Sequence, residues 1–254
     1  MMMDLALFFA GFVAGTFGAL LGIGGGVIVV PVLVLFAKVP IRIAIGTSFI
    51  AVLATSLSAA SSYLKKGLCD IETGIRLETA TVTGAAIGAY LAGTVNPRVL
   101  QTAFAVILVY VSFTMLRKKG AVGKQSAFKS GLSRNRGRVA DAVSFFAGIL
   151  SGSLGVGGGL IKVPLLHRLL NFPMAEAIAT SSYMIGITVA TSTLVFTFRG
   201  DVDPYIAAPL VVGIFLGASQ GARIMQKIPE KVLRVSFSLL LLYFSARFLI
   251  MGVG

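Results

Sequence analysis

Two runs of three glycines, each inside an apolar segment, are the residues of this chain best suited to binding chemistry. Their members are Gly24, Gly25, Gly26, Gly157, Gly158 and Gly159. Glycine has no side chain to shield its amide, and the start of a helix carries a partial positive charge of about +0.5. Unwound backbone at membrane depth is tolerated only where it is buried in protein or lines a watery cavity. We therefore predict that each run precedes a short helix and that the two runs bind a small anion through backbone N–H groups.

Close helix packing is the alternative explanation for glycine in such segments, and we favour it for the glycines upstream of the runs. Those glycines follow small-xxx-small spacing, which lets two helices touch. They are Gly11, Gly15, Gly18, Gly22, Gly148, Gly152 and Gly155. A close helix contact needs one glycine per turn, so three in succession favour the binding role.

Hydroxyl side chains recur after each run. Thr47 and Ser48 follow the first run, and Thr180 and Ser181 follow the second at equivalent positions. These four hydroxyls either donate to substrate oxygens or hydrogen-bond between helices. Thr188 follows Ser181 by seven residues and lies on the same helical face, and for it we expect an interhelical hydrogen bond.

Lys162 is the one charged residue inside either glycine motif, and Val29 occupies the matching position in the first. A charge at the bilayer centre costs about 2.5–3.5 kcal/mol on insertion scales and marks a functional position by default. Lys162 is therefore either a counter-charge for an anionic substrate or a side chain that extends to the cytoplasmic surface.

Carboxylates have the opposite distribution. All nine acidic residues, Glu78 included, lie at or near the ends of the apolar segments. This pattern argues against a cation pump, which needs buried acids, and predicts no proton carrier. We interpret Asp70 and Asp203 as turn residues and His167 as structural. One cysteine and one histidine exclude a disulfide and leave little for a metal centre, so no cofactor or metal is predicted.

These motifs belong to an internal repeat. Residues 12–33 and 145–166 align without a gap at an offset of 133 residues, and the offset holds onward to Asp70 and Asp203. Two halves of an apolar chain, each with a glycine-broken segment at the same place, are typical of a secondary transporter.

Composition indicates a polytopic membrane protein. The chain has 254 residues, of which 56% are hydrophobic and 12% charged, with a mean hydropathy of +0.94. Six segments are long enough to cross the hydrocarbon as helices. They are roughly 43–64, 77–95, 98–116, 177–198, 205–224 and 231–251. Segments 4–37 and 139–171 are each interpreted as a longer helix, an unwound glycine stretch and a second helix of about 11 residues, with Pro31 or Pro164 inside.

The distribution of basic residues decides between two membrane topologies. The basic linker 117–138 is expected to be cytoplasmic. If the broken segments cross the membrane, the halves are parallel and the basic group at 223–234 lies outside. If they re-enter and return, the halves are inverted and that group lies inside with the linker. The positive-inside rule therefore favours inverted repeats with both termini outside. The net charge of +13 is explained by this orientation rather than by nucleic-acid binding.

We therefore predict an all-α polytopic membrane protein with two inverted-topology repeats. Each repeat has a glycine-broken re-entrant helix pair and three full transmembrane helices. Residues 1–116 form the first repeat, 117–138 the linker and 139–254 the second repeat.

The motifs resemble those of the TauE/SafE sulfite exporter family, also called the four-toluene-sulfonate uptake permease family. The matching segments are G-A-L-L-G-I-G-G-G-V-I-V-V-P (18–31), G-S-L-G-V-G-G-G-L-I-K-V-P (152–164), A-I-G-T-S (44–48) and A-I-A-T-S-S (177–182). The resemblance implies a transporter of sulfite, thiosulfate, sulfoacetate or organosulfonates in a prokaryotic inner membrane. It does not fix the substrate or the direction, and it does not extend to Lys162.

Together these observations predict a secondary transporter, an exporter, of small sulfur-containing anions that works by alternating access. Its partners are that anion and the lipid bilayer. An anion channel of similar selectivity is the alternative. An intramembrane enzyme is disfavoured, because the spans contain no paired nucleophile and base and Cys69 lies in a loop.

Overall fold

The computed structural model describes residues 2–116, 134–225 and 230–253, and these residues form helices and loops without a strand. The helices are α1 (Met2–Leu21), α2 (Gly26–Leu35), α3 (Ile41–Lys65), α4 (Ile71–Thr94), α5 (Pro97–Leu116), α6 (Arg134–Leu154), α7 (Gly159–Pro164), α8 (Met174–Phe198), α9 (Pro204–Ile224) and α10 (Glu230–Val253). The all-α prediction is confirmed for these residues.

Each of the six predicted spans is a helix, namely α3, α4, α5, α8, α9 and α10. Within the described ranges, four helices are long and apolar enough to cross a membrane. These four are α1 from Met3, α3, α8 and α9. Helix α4 has 24 residues but is not among them, because its many Gly, Ala and Thr residues and Glu78 lower its mean hydropathy.

The predicted glycine breaks are present. Helix α1 ends at Leu21 and α2 begins at Gly26, while α6 ends at Leu154 and α7 begins at Gly159. The short second helix has 10 residues in the first half. In the second half, a π-helical turn at Leu165–Leu169 extends α7.

The chain reverses direction at each break. A β-carbon at Gly25 would lie 2.8 Å from the carbonyl oxygen of Ala14, in the preceding helix. A β-carbon at Gly158 would lie 3.4 Å from the hydroxyl oxygen of Ser151, again in the preceding helix. Because Gly25 and Gly158 end the breaks and already lie beside residues one to two turns before them, each broken segment folds back as a hairpin of two helices.

Small residues join the two halves of the chain. Helix α1 packs along α9, and α4 packs along α6, so the first helix of each half lies on the fourth helix of the other. The close contacts pair Gly213 with the Phe8 carbonyl, Gly217 with Phe12, Gly84 with Phe145 and Gly88 with Ile149. In each pair of helices, the residue numbers of the contacting partners rise together, so the two helices are parallel. The packing role predicted for Gly11, Gly15, Gly148 and Gly152 is confirmed, since each meets backbone of the facing helix.

Helices at equivalent positions of the two halves are antiparallel. The start of α3 meets the end of α8, where the rings of Phe49 and Phe196 have centroids 5.1 Å apart. Further along, Ser56 donates to the carbonyl of Ser182. Helices α5 and α10 pair in the same way, because Ser112 donates to Ser238 at 2.9 Å and Ser245 to Ala105 at 3.1 Å.

The outer surface of the helix bundle is apolar. Large apolar or aromatic side chains on several helices are more than half exposed, including Tyr90, Phe146, Phe198, Tyr205 and Ile250. A soluble protein rarely exposes so much apolar surface, whereas lipid covers it readily.

The start of helix α6 overlaps the end of the predicted linker. Helix α6 begins at Arg134, inside the range 117–138 that we expected to be linker. Residues 117–133, and 226–229 with the basic Lys227, lie outside the described residues.

Candidate anion site at the paired glycine breaks

Positive φ angles open the backbone at both breaks. Gly24 and Gly25 have φ of 89° and 78°, and Gly157 and Gly158 both have 74°. A side chain at such angles is strained, which explains the glycine runs. Gly25 and Gly158 each stand immediately before a short helix, and no side chain caps either helix start.

At the breaks, several backbone amides have no hydrogen-bond partner within the described part of the chain. The N–H groups of Gly25, Gly26, Gly157 and Gly158 donate no hydrogen bond to any other described residue. All four residues are buried. A buried unpaired donor costs about 1–3 kcal/mol, so such groups are expected to meet a ligand or water during function.

The two breaks lie against each other. A β-carbon at Gly26 would overlap the carbonyl oxygen of Gly155, and one at Gly159 would overlap that of Gly22. These four positions are two pairs related by the repeat offset. The six glycines predicted to form the site are therefore brought together from both halves of the chain.

The side chains of Val52 on α3 and Ile185 on α8 cover the region where the two breaks meet. Their side chains would contact a β-carbon at Gly24 and one at Gly157. Both residues are fully buried, and they occupy equivalent positions in the repeat. The structure therefore holds the breaks in a closed arrangement that these two side chains cover.

Ser48 and Ser181 connect each repeat to the break of the other. Ser48 donates to the carbonyl of Gly155 at 3.2 Å, and Ser181 donates to the carbonyl of Gly22 at 3.0 Å. Ser48 also donates to Ile45 in its own helix at 2.7 Å. In this arrangement both hydroxyls hold the unwound backbone in place.

Thr47 and Thr180 hold the turns that start α9 and α4. Thr47 Oγ1 accepts from the backbone N–H of Asp203 at 3.1 Å, and Thr180 Oγ1 accepts from that of Asp70 at 3.0 Å. Each aspartate in turn caps its helix, as when Asp70 accepts from the N–H of Thr73 at 3.0 Å. The turn role predicted for Asp70 and Asp203 is confirmed, with the added function of an N-cap.

Lys162 is fully buried and forms an ion pair with Glu78. Its Nζ lies 2.9 Å from Glu78 Oε2, 3.2 Å from Oε1 and 2.6 Å from Thr188 Oγ1. Thr188 also donates to Glu78 Oε1. The interhelical hydrogen bond expected of Thr188 is thus present.

This ion pair corrects the prediction that acidic residues stay at segment ends. Glu78 is the eighth residue of α4 and its side chain is 3% exposed. Of the two alternatives for Lys162, extension to the cytoplasmic surface does not hold, since Lys162 is 0% exposed. A carboxylate two turns into a helix looks terminal in the sequence, but the facing α7 and α8 bury it.

The repeat contains a signal that would have found this pair. At the repeat-equivalent positions, Val29, Val211 and Thr55 match Lys162, Glu78 and Thr188. Each charged residue therefore has a valine as its equivalent in the repeat. When two residues of opposite charge both differ from their repeat equivalents in this way, contact between them is expected.

A cavity of about 90 Å³ lies beside the second break. It is bounded by α5, α6 and α7, and its lining includes Tyr110, Ser151, Gly158 and Ile161. The hydroxyl of Ser151 is buried and has no hydrogen-bond partner among the described residues. The cavity thus places a free hydroxyl next to a free amide, within mostly apolar walls.

Two further polar residues are structural. His167 Nδ1 pairs with the carbonyl oxygen of Phe172 at 2.8 Å, as expected for a structural histidine. Cys69 lies in the loop before α4, where burial raises the pKa of its thiol to about 11. Its thiolate is therefore scarce at neutral pH, and the residue is a poor nucleophile.

The chain matches one protein family over most of its length. The family model described as "Sulfite exporter TauE/SafE" covers residues 7–248. No solved structure matches the chain.

Similar proteins are named as transporters. "Probable membrane transporter protein YunE" of Bacillus subtilis is 29% identical, with 96% of each chain covered. YdhB of the same organism, also named a probable membrane transporter protein, is 27% identical over 92% of this chain and 94% of its own. MJ0441 of Methanocaldococcus jannaschii, named likewise, is 25% identical over 92% and 91%. These names and the apolar helices indicate a multi-pass membrane transporter rather than an enzyme.

The buried ion pair gives a stability prediction. Lys162→Val or Glu78→Val alone leaves an unpaired buried charge, so each should lower the unfolding free energy by about 3–5 kcal/mol. The double variant copies Val29 and Val211 and should melt at or above the wild-type temperature in detergent. Glu72→Val, on the exposed face of the same helix, is the control and should change little. A double variant less stable than both single variants would contradict this description.

Proposed function

We propose a substrate class and a mechanism for this chain, which belongs to the sulfite exporter TauE/SafE family and is a membrane transporter. The substrate is a small sulfur-containing anion such as sulfite, thiosulfate, sulfoacetate or an organosulfonate. The buried, unpaired amides of Gly25, Gly26, Gly157 and Gly158 are the observation that carries this proposal. Backbone donors at helix starts suit oxyanions, because they supply directed N–H groups and partial positive charge.

Other predicted residues have supporting roles in this proposal. Gly24 and Gly159 complete the two breaks. Ser48 and Ser181, which already touch the break backbone, can turn their hydroxyls to the anion once the breaks separate. Thr47 and Thr180 each keep a hydroxyl proton that can be donated. Lys162 supplies the positive charge beside the second break.

The membrane arrangement proposed here is an inverted repeat. Two equivalent helices that each cross the membrane and run antiparallel must enter it from opposite faces, and α3 and α8 are such a pair. The hairpin at each break supports a re-entrant segment that returns to its side of entry. The positive-inside rule then places the end of α5 and the start of α6 in the cytoplasm, with both termini outside. In a prokaryotic cell the membrane is the inner one.

The position of Val52 and Ile185 supports alternating access. They cover both breaks at once, so separating α3 from α8 on one side of the membrane uncovers the amides from that side only. The closed centre supports a transporter over an anion channel, which needs a continuous path. An inside-negative potential favours exit of any anion that crosses with its charge, by about 2.3 kcal/mol per charge per 100 mV. This driving force supports export for an anion that crosses alone, whereas the pH and anion gradients set the direction if a proton accompanies each anion.

Anion binding tests the substrate class. Purified protein should melt at a higher temperature with sulfite, thiosulfate or sulfoacetate, because a ligand at 100 times its Kd stabilises the folded state by about 2.7 kcal/mol. Dimethyl sulfone, which is neutral, should have no effect.

Two matched variants locate that effect. Gly26→Ala places a methyl group against the Gly155 carbonyl and should abolish the anion-induced shift. Gly67→Ala adds a methyl group in open space and should retain it. The substrate class is wrong if no sulfur anion stabilises the wild-type protein, or if dimethyl sulfone stabilises it equally.

Cysteine labelling tests the inverted repeat. In a Cys69→Ala background, Gly67→Cys and Gly200→Cys place thiols at equivalent turns that are both in open space. A membrane-impermeant maleimide added to intact cells should label position 200 and should label position 67 only after lysis. Labelling of both positions from one side would mean parallel repeats.

A further inference from the structure

The Lys162–Glu78 pair is electrically neutral, and that neutrality limits what the site can accept. Lys162 contributes one positive charge, and Glu78 contributes one negative charge at 2.9 Å. Thr188 completes the cluster through hydrogen bonds to both residues. A monoanion that entered beside this pair would leave one uncompensated negative charge away from water. Uncompensated buried charge is strongly unfavourable, so proteins neutralise such sites by protonation or pairing.

We propose that Glu78 takes up a proton when the anion binds, so that each monoanion crosses together with one proton. This inference rests on the proposed function, and it adds the coupling ion. Lys162 exchanges its partner from the Glu78 carboxylate to the anion, and the protonated Glu78 then forms hydrogen bonds with Thr188. On release, Glu78 loses its proton to water and pairs with Lys162 again.

The charges and atoms balance at each step. Before binding, the ammonium and carboxylate sum to zero. After binding, ammonium, anion and neutral carboxylic acid again sum to zero. The O–H bond on Glu78 forms with a proton from water on the side of entry and breaks to water on the side of exit. No oxidant, reductant or further ion is needed.

Glu78 is the acid placed for this role. The elements packed against α4 near Glu78 are α6, α7 and α8. Their described titratable side chains are Asp141 on α6, Lys162 on α7, and Glu176 and Tyr183 on α8. Of these, Lys162 is the group within ion-pair distance of Glu78.

The repeat limits the coupling to one proton. At the repeat-equivalent positions, Val29 of the first half and Val211 of the second half replace the charged pair, and Thr55 donates to Ala51 of its own helix at 3.1 Å. Among the described residues, the first break therefore offers amides to the anion without an acid at the equivalent position. One titratable acid for two breaks predicts one proton for each anion.

Proteoliposomes can separate this coupling from transport itself. The probe is radiolabelled methanesulfonate, a monoanion that carries no titratable proton at neutral pH. With the wild-type protein, one pH unit across the membrane should concentrate it about tenfold on the alkaline side. A potassium–valinomycin potential alone should not concentrate it.

Glu78→Gln keeps the hydrogen-bonding shape and removes the titration. In this variant the pH gradient should lose its effect, and the potential should concentrate methanesulfonate on the positive side. Glu72→Gln, on the exposed face of the same helix, should behave as wild type. Since Glu78→Gln leaves Lys162 without its counter-charge and can impair folding, a second measurement uses the wild-type protein alone. Adding methanesulfonate to it in weakly buffered detergent solution should consume about one proton per bound anion.

The outcomes are distinct. If the wild-type protein concentrates methanesulfonate in response to potential and ignores the pH gradient, the coupling is wrong and anion transport stands. Coupling that persists in Glu78→Gln, or binding without proton uptake, also overturns it. Absence of binding and transport for every anion tested overturns both this inference and the proposed function.

Discussion

Backbone amides must have hydrogen-bond partners inside a membrane, and the two glycine breaks leave buried amides, those of Gly25, Gly26, Gly157 and Gly158 among them, without a partner in the described residues. A helix satisfies its own amides, so an apolar chain has no reason to interrupt one at mid-depth unless the freed groups are used. The rest of the molecule holds those interruptions in place. Ser48 and Ser181 each bind the carbonyl before the opposite break, and the hairpins are pressed together so closely that only glycine fits at positions 26 and 159.

Packing of the helices of one half on those of the other explains why the two breaks lie against each other. The first helix of each half packs on the fourth helix of the other, and the turn before each fourth helix is held by a threonine of the opposite half. Neither half completes its own site or its own packing. Movement of one half therefore changes the environment of both breaks, which is the mechanical requirement for alternating access.

The symmetry between the two repeats is broken at the two buried charged residues. Lys162 and Glu78 stand on one side, and valines stand at the equivalent positions on the other. In the proposed mechanism, the symmetric pair of breaks accepts an anion from either side of the membrane, and the single Lys162–Glu78 pair links that binding to one proton. The proposed coupling therefore depends on the departure from the repeat, and the proposed recognition depends on the repeat itself.

Much of the fold could be predicted from the sequence, because apolar length and the offset of 133 residues locate the helices and both breaks directly. The Lys162–Glu78 contact was missed because it joins residues 84 positions apart on different elements. The roles of Thr47 and Thr180 were equally hidden, since their partners Asp203 and Asp70 belong to the other half. Such contacts depend on which helices pack together, and periodicity within one segment does not specify that.

Amide resonances at the breaks test the central claim most directly. With glycine labelled by nitrogen-15 and individual signals assigned by substitution, sulfite should shift the amides of Gly25, Gly26, Gly157 and Gly158 as they gain a hydrogen-bond acceptor. The turn glycines Gly67 and Gly200 should not move. Saturable sulfite binding that leaves all four break amides unshifted would contradict the account.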